Sequence, residues 1–187
     1  MAPRSLNPTA ASLLGFLHFG AMTGWDLVAT AQTVIGNYWT LTQSQVYREL
    51  AAMAGAGLVA EGERGRRDSK PYSLTDQGRA AFAEWVRREP ADETIRFPLL
   101  LTIIFGRHLE PERLAEIVAR HRSTHRERLA RYEAMRAEAL GPVGEPDVYG
   151  LATLDFGLHY ERAVLAWFDQ LPTEIRGPGS AVQAEST

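Results

Sequence analysis

The 187-residue sequence contains no cysteine and a single lysine, Lys70. Without cysteine there is no disulfide and no thiolate metal site, and an intracellular protein is the simplest reading. Long apolar runs are missing too. The apolar stretch near the N-terminus is interrupted by Pro8, His18 and Gly20, is too short to span a membrane and has no signal-peptide layout. The chain is expected to be cytoplasmic, with no membrane contact. Nor is there a glycine-rich phosphate loop, a nucleophile elbow or a conspicuous pair of carboxylates, so no catalytic residue and no cofactor is assigned and the chain is not read as an enzyme. His121 and His125 have the i,i+4 spacing of helical metal ligands. They lie within Arg120-His121-Arg122-Ser123-Thr124-His125-Arg126, where the cations oppose a metal dication and no carboxylate stands within the stretch. No metal site is assigned.

Charge is informative only once it is divided. The net charge is −3, but residues 1–88 carry nine basic against seven acidic side chains, and residues 89–187 carry eleven against sixteen. Such a difference in sign is expected where only the first half meets phosphate. Arginine supplies 19 of the 20 basic residues, a compositional bias that weakens the meaning of any single one.

Helix signals recur along the first half. Asn7 is a good N-cap with Pro8 at the first helical position, and Leu13, Leu14 and Leu17 follow at helical spacing up to Gly20. Thr23 caps a second helix through Leu27, Val28, Ala31, Val34 and Ile35 to Gly36. Thr42-Gln43-Ser44-Gln45 fits a capping box and opens a third helix, with Val46, Leu50 and Met53 on one face and Gly55 and Gly57 at its end. Residues 58–61 and 72–75 favour strands on either side of a polar, basic segment, which reads as a hairpin. Thr75 then caps a fourth helix, with Phe82, Trp85 and Val86 expected inside. Three helices, a ribbon and another helix are the order of a winged helix-turn-helix.

Residues 90–98, rich in proline and charge, read as a link. Beyond them lie a short apolar helix from Leu99 to Phe105 and a long helix from Pro111 to Leu140, about 45 Å at 1.5 Å per residue. A last helix covers Asp147 to Leu171. The long helix carries Leu114, Ile117, Val118, His121, His125, Leu129, Tyr132 and Met135 along one side, more than its own small domain can cover, so a second subunit is expected. The fold class is mainly α with a small β-hairpin. Residues 1–89 are read as a winged helix-turn-helix DNA-binding domain, 90–172 as a helical dimerisation domain and 173–187 as a flexible tail.

Four segments, in this order, carry a family resemblance. They are Gly20-Ala-Met-Thr-Gly24-Trp25-Asp26-Leu27, Val46-Tyr47-Arg48-Glu49-Leu50, Gly57-Leu58-Val59 and Pro71-Tyr72-Ser73-Leu74-Thr75-Asp76-Gln77-Gly78. With them, and Trp167-Phe168 near the end of the helical half, the chain resembles the PadR-type transcriptional regulators over nearly its whole ordered length. The resemblance implies a homodimeric repressor on a near-palindromic operator in double-stranded DNA, released by a small, often phenolic, effector.

A recognition helix presents short polar side chains at its N-terminal end to the major groove. Gln43, Ser44, Gln45, Tyr47 and Arg48 fit that role, although Gln45 also suits closing the capping box and Tyr47 suits packing on the wing. The wing tip, Arg64-Gly65-Arg66-Arg67-Asp68-Ser69-Lys70, holds four positive charges and one negative, as phosphate tracking requires. Its candidate contacts are Arg64, Arg66, Arg67 and Lys70, and the alternative is a solvated turn. Trp25, Tyr38 and Trp39 either close the small domain's core or border an effector pocket. Phe97, Phe105, Phe156, Tyr160, Trp167 and Phe168 are candidates for a dimer core, some of them for lining a cavity. The candidate effector residues are thus Trp25, Trp39, Phe97, Phe156 and Trp167. A winged-helix module that binds protein without a ligand response is the alternative function, and the basic wing argues against it.

Overall fold

The first helix, α1 (Pro8–Phe16), starts where its chemistry puts it: the Asn7 side chain accepts from the Ala10 amide (2.8 Å) and Pro8 occupies the first helical position. The computed structural model describes residues 6–36, 38–63, 70–141 and 147–177. The chain divides into two units, residues 1–92 and 93–187.

In the first unit α1 runs into a single 3-10 turn, Leu17–Phe19, and then a two-residue strand, β1 (Met22–Thr23). Helices α2 (Gly24–Val34) and α3 (Gln43–Gly55) follow, then β2 (Val59–Glu61), β3 (Pro71–Leu74) and α4 (Asp76–Val86). The sheet is antiparallel with order β1-β3-β2, so the expected hairpin has a third strand. Met22 faces Tyr72 and Thr23 faces Pro71 on one side of β3, while Val59, Ala60 and Glu61 face Leu74, Ser73 and Tyr72 on the other. Leu13, Leu14, Leu27, Ala31, Val46, Leu50, Met53 and Val59 meet in one core beneath the sheet and helices.

The joint between α3 and the wing rests on backbone geometry. Gly57 takes a positive φ of 71°, the Leu58 amide donates to Met53 O (2.9 Å) and the Gly57 amide to Ala54 O (3.0 Å). This pair of bonds is a Schellman closure, which satisfies the last carbonyls of α3 and turns the chain into β2. Thr75 then ties α4 to the same turn. Its hydroxyl donates towards Gly57 O (2.7 Å) and Leu58 O (3.0 Å) and accepts from the Gly78 amide (3.0 Å).

Two expectations for this unit are corrected. Val86, expected inside, is exposed at the last position of α4, while Phe82 is the residue that packs on the core. Trp25 does not close the core: it is 67% exposed, because Leu27, Val28 and Ala31 form the buried side of α2 and Trp25 lies off it.

The second unit comprises α5 (Pro98–Ile104), a 3-10 turn at Gly106–His108, α6 (Pro111–Ala139), α7 (Val148–Gln170) and α8 (Thr173–Arg176). Leu99, Leu114, Val118, Phe168 and Leu171 form its core, flanked by Phe97, Trp167 and Ile175. The first residues of the expected tail, Thr173–Arg176, form α8 instead. Ile175 gives α8 an apolar anchor on that core, and a Cβ on Gly177 would lie 2.9 Å from Ala115. The rest of the expected tail, residues 178–187, lies outside the described residues.

Candidate nucleic-acid interface

The amino end of α3 is set by a closed capping box. The Gln45 amide donates to Thr42 Oγ1 (3.3 Å), and Gln45 Oε1 accepts from the Thr42 amide (2.9 Å) and hydroxyl (3.0 Å). Gln45 Oε1 is thereby occupied. A bidentate reading of adenine needs both amide atoms of a glutamine, so in this geometry Gln45 shapes the helix end. Ser44 Oγ lies 3.1 Å from Thr42 Oγ1.

Gln43, Ser44, Tyr47 and Arg48 are exposed along one side of α3, followed by Ala51 and Ala52, whose small side chains leave room for a groove wall. The opposite side, with Val46, Leu50 and Met53, is in the core. Arg48 is extended into solvent, 70% exposed, with its guanidinium 3.7 Å from Glu49. Tyr47 is exposed on one side of its ring and lies against Gly24 on the other.

Helix α2 has the same kind of start. Thr23 caps it, and the Asp26 carboxylate accepts from the Thr23 hydroxyl (2.7 Å) and amide (3.0 Å), which holds the Asp26 carboxyl below its ordinary value. Lys70, at the base of the wing, is ion-paired with Glu61 across the two strands. Arg64, Arg66 and Arg67 lie outside the described residues.

The candidate effector residues fall into two groups. Trp25 and Trp39 belong to the first unit, and both are exposed. Phe97, Phe156 and Trp167 belong to the second, where the structure links them through other rings. Phe97 meets Trp167 edge-on (6.2 Å between centroids) and His125 (5.9 Å); His125 meets Tyr160 (6.5 Å), which stacks on Phe156 (6.5 Å). Phe105, a dimer-core candidate, is exposed, whereas Phe168 is fully buried.

At the centre of these rings is a feature the sequence did not single out. Glu161 is buried on α7; its Oε2 accepts from His125 Nδ1 (2.5 Å) and its Oε1 from Arg128 (3.1 Å). His125 is thus a buried hydrogen-bond partner linking α6 to α7. Burial, helped by Arg120 and His125, holds the His121 imidazole below its ordinary value. Among the described residues, no group of three His, Asp or Glu could hold a metal ion.

Comparison with known proteins bears on both units. Residues 13–84 match the transcriptional regulator PadR-like family, and residues 95–176 match the family described as virulence activator alpha C-term. The negative transcriptional regulator PadR of Bacillus subtilis is 24% identical over 172 residues, 86% of this chain and 93% of that protein. Its structure in complex with operator DNA superposes with a TM-score of 0.70 at 23% identity, covering 87% of this chain and 95% of that one. In complex with p-coumaric acid it superposes with a TM-score of 0.65 at 22% identity, covering 85% and 93%. The virulence activator AphA of Vibrio cholerae gives 0.66 at 26% identity, covering 86% and 94%.

Proposed function

Because the chain belongs to the PadR-like family of transcriptional regulators, we propose that it is a homodimeric repressor that leaves a near-palindromic operator when a small aromatic effector binds. The observation that carries the DNA-facing part is the exposed edge of α3, where Gln43, Ser44 and Arg48 stand free of the core at a capped helix start. Tyr47 shares that edge. Arg48 supplies a guanidinium for guanine or phosphate, and Gln43 a complete amide for adenine. The basic wing, Arg64 to Lys70, is proposed to supply phosphate contacts.

The second subunit is proposed to cover apolar surface of the C-terminal unit. On α7 Val148, Tyr149 and Phe156 are exposed, and so are Leu101, Ile104 and Phe105 on and just after α5. Isolated apolar residues on a surface are ordinary; these six large ones, exposed in one small unit, are proposed to meet a partner. A dimer of this kind places its two α3 helices about 34–36 Å apart, one turn of duplex. Light scattering at micromolar concentration is expected to give twice the chain's mass; a monomer would remove the two-fold operator from the proposal.

The effector is proposed to engage the rings of Phe97, Phe156 and Trp167 within the second unit; Trp25 and Trp39, exposed in the first unit, are separate candidates. Aromatic acids such as p-coumaric acid, which the Bacillus subtilis protein binds, are the first to test.

The deciding experiment is footprinting and titration of the duplex upstream of the protein's own gene, with and without such an acid. Arg66→Ala with Arg67→Ala is expected to weaken binding to every duplex and to reduce the slope of log affinity against log salt by about 2. An unchanged slope would take the wing out of the mechanism.

A further inference from the structure

We infer that Tyr47 acts chiefly as a positioning residue, its ring wedged on Gly24 so as to fix how the recognition helix α3 is presented to DNA. The inference rests on the DNA-binding reading above and assigns one of its candidate contacts a different task.

The contact is tight at a defined place. Gly24 is buried and is the first residue of α2; a Cβ built on it would lie 2.6 Å from Tyr47 Cε1, 2.7 Å from Cζ and 3.0 Å from the hydroxyl oxygen. No side chain fits there while the ring keeps its place. Gly24 also follows Thr23, which is both the cap of α2 and the β1 residue facing Pro71. The tip of the Tyr47 ring thus reaches the point where α2, β1 and β3 converge. Tyr72, the β3 residue opposite Met22, feels the Tyr47 phenol: burial first, then Glu61, then Tyr47 raise the Tyr72 pKa, opposed by Lys70. One aromatic side chain therefore joins the recognition helix to the start of the preceding helix.

Base readout is demanding of orientation. Side chains must be held within about 0.5 Å of their productive places by neighbours that are themselves locked. Gln43, Ser44 and Arg48 are on the same edge as Tyr47. A rotation of α3 that follows from moving the ring displaces all of them together.

The test is a double-mutant cycle read as affinity for the footprinted duplex, alongside melting temperature and oligomeric state. Gly24→Ala is expected to weaken specific binding about tenfold, the value of one good base contact, because its methyl pushes the ring out. In a Tyr47→Leu background, which already lacks the ring, the same Gly24→Ala change is expected to cost less than about twofold. Tyr47→Phe, which keeps the ring and removes the hydroxyl, is expected to recover most of what Tyr47→Leu loses. Additive losses at the two positions would overturn the inference, as would a Tyr47→Phe variant as weak as Tyr47→Leu, which would make the hydroxyl a direct DNA contact. Failure of the unmodified protein to bind any duplex would overturn the DNA-binding reading itself, and the two failures are told apart in the first titration.

Discussion

Replacing Glu161 by alanine is expected to destabilise the C-terminal unit by about 3–5 kcal/mol, the usual cost of removing one partner from a buried ion pair. Glu161 is only 1% exposed, and both of its oxygens are engaged, one by His125 and one by Arg128. Without the carboxylate, Arg128 keeps its charge and loses its buried partner. Because Arg128 is partly exposed, it can turn towards water, which favours the lower end of the range. The measurement is urea unfolding of the full chain at fixed protomer concentration, since a dimer's midpoint depends on concentration. A second variant separates charge from packing: His125→Leu with Glu161→Leu replaces the pair by apolar volume and is expected to recover a substantial part of the loss. A Glu161→Ala shift below about 1 kcal/mol would mean that the pair is not structural.

The second large effect concerns a glycine inside a helix. Gly78→Ala is expected to destabilise the N-terminal unit by about 1–3 kcal/mol or more, although alanine is the better helix former by about 1 kcal/mol. A Cβ at this position would lie 2.1 Å from Leu58 O and 2.9 Å from Leu74 Cδ1. The carbonyl is backbone, and it also accepts from the Thr75 amide (3.2 Å) and hydroxyl (3.0 Å), so moving it opens the joint between α3, the wing and α4. Gly55 provides the contrast. It is the last residue of α3 and a Cβ there meets nothing within 4 Å, so Gly55→Ala is expected to be neutral or to stabilise by about 0.4–1 kcal/mol. Thermal unfolding of both variants checks the pair, and an unchanged melting temperature for Gly78→Ala would show that the joint yields freely.

These two sites differ in how far a sequence could announce them. Helix starts were legible because a cap is a local device. Asn7 with Pro8, Thr23, Thr42 with Gln45, and Thr75 each satisfy amides within three residues, and all four cap the helices expected of them. The polar edge of α3 was legible for the same reason, since it is the complement of Val46, Leu50 and Met53. The fold class followed from that order of elements, and the four helices, the wing and the helical second half are all present.

What stayed hidden depends on distant partners. Strand β1 is two residues long and owes its existence to β3, about fifty positions later, so no alternation could reveal it. Glu161 has its partner His125 36 residues upstream on another helix. A local sign did exist: Leu158, Glu161, Leu165 and Phe168 follow a core spacing, and a carboxylate in that row asks for a buried cation. Trp25 went the other way. Its size suggested burial, but the side of α2 on which it falls was set by Leu27, Val28 and Ala31.

The pairing of β1 with β3 has a consequence for how the wing can change over evolutionary time. In an isolated hairpin the length of the turn fixes the register of both strands, and a single inserted residue turns every side chain to the opposite face. Here Met22 and Thr23 hold Tyr72 and Pro71 in register from the side away from β2, independently of the turn. Residues can then be gained or lost between Gly62 and Lys70 while Tyr72 keeps its inward position. The register of β3 therefore does not rest on the length of the connection between the two strands alone.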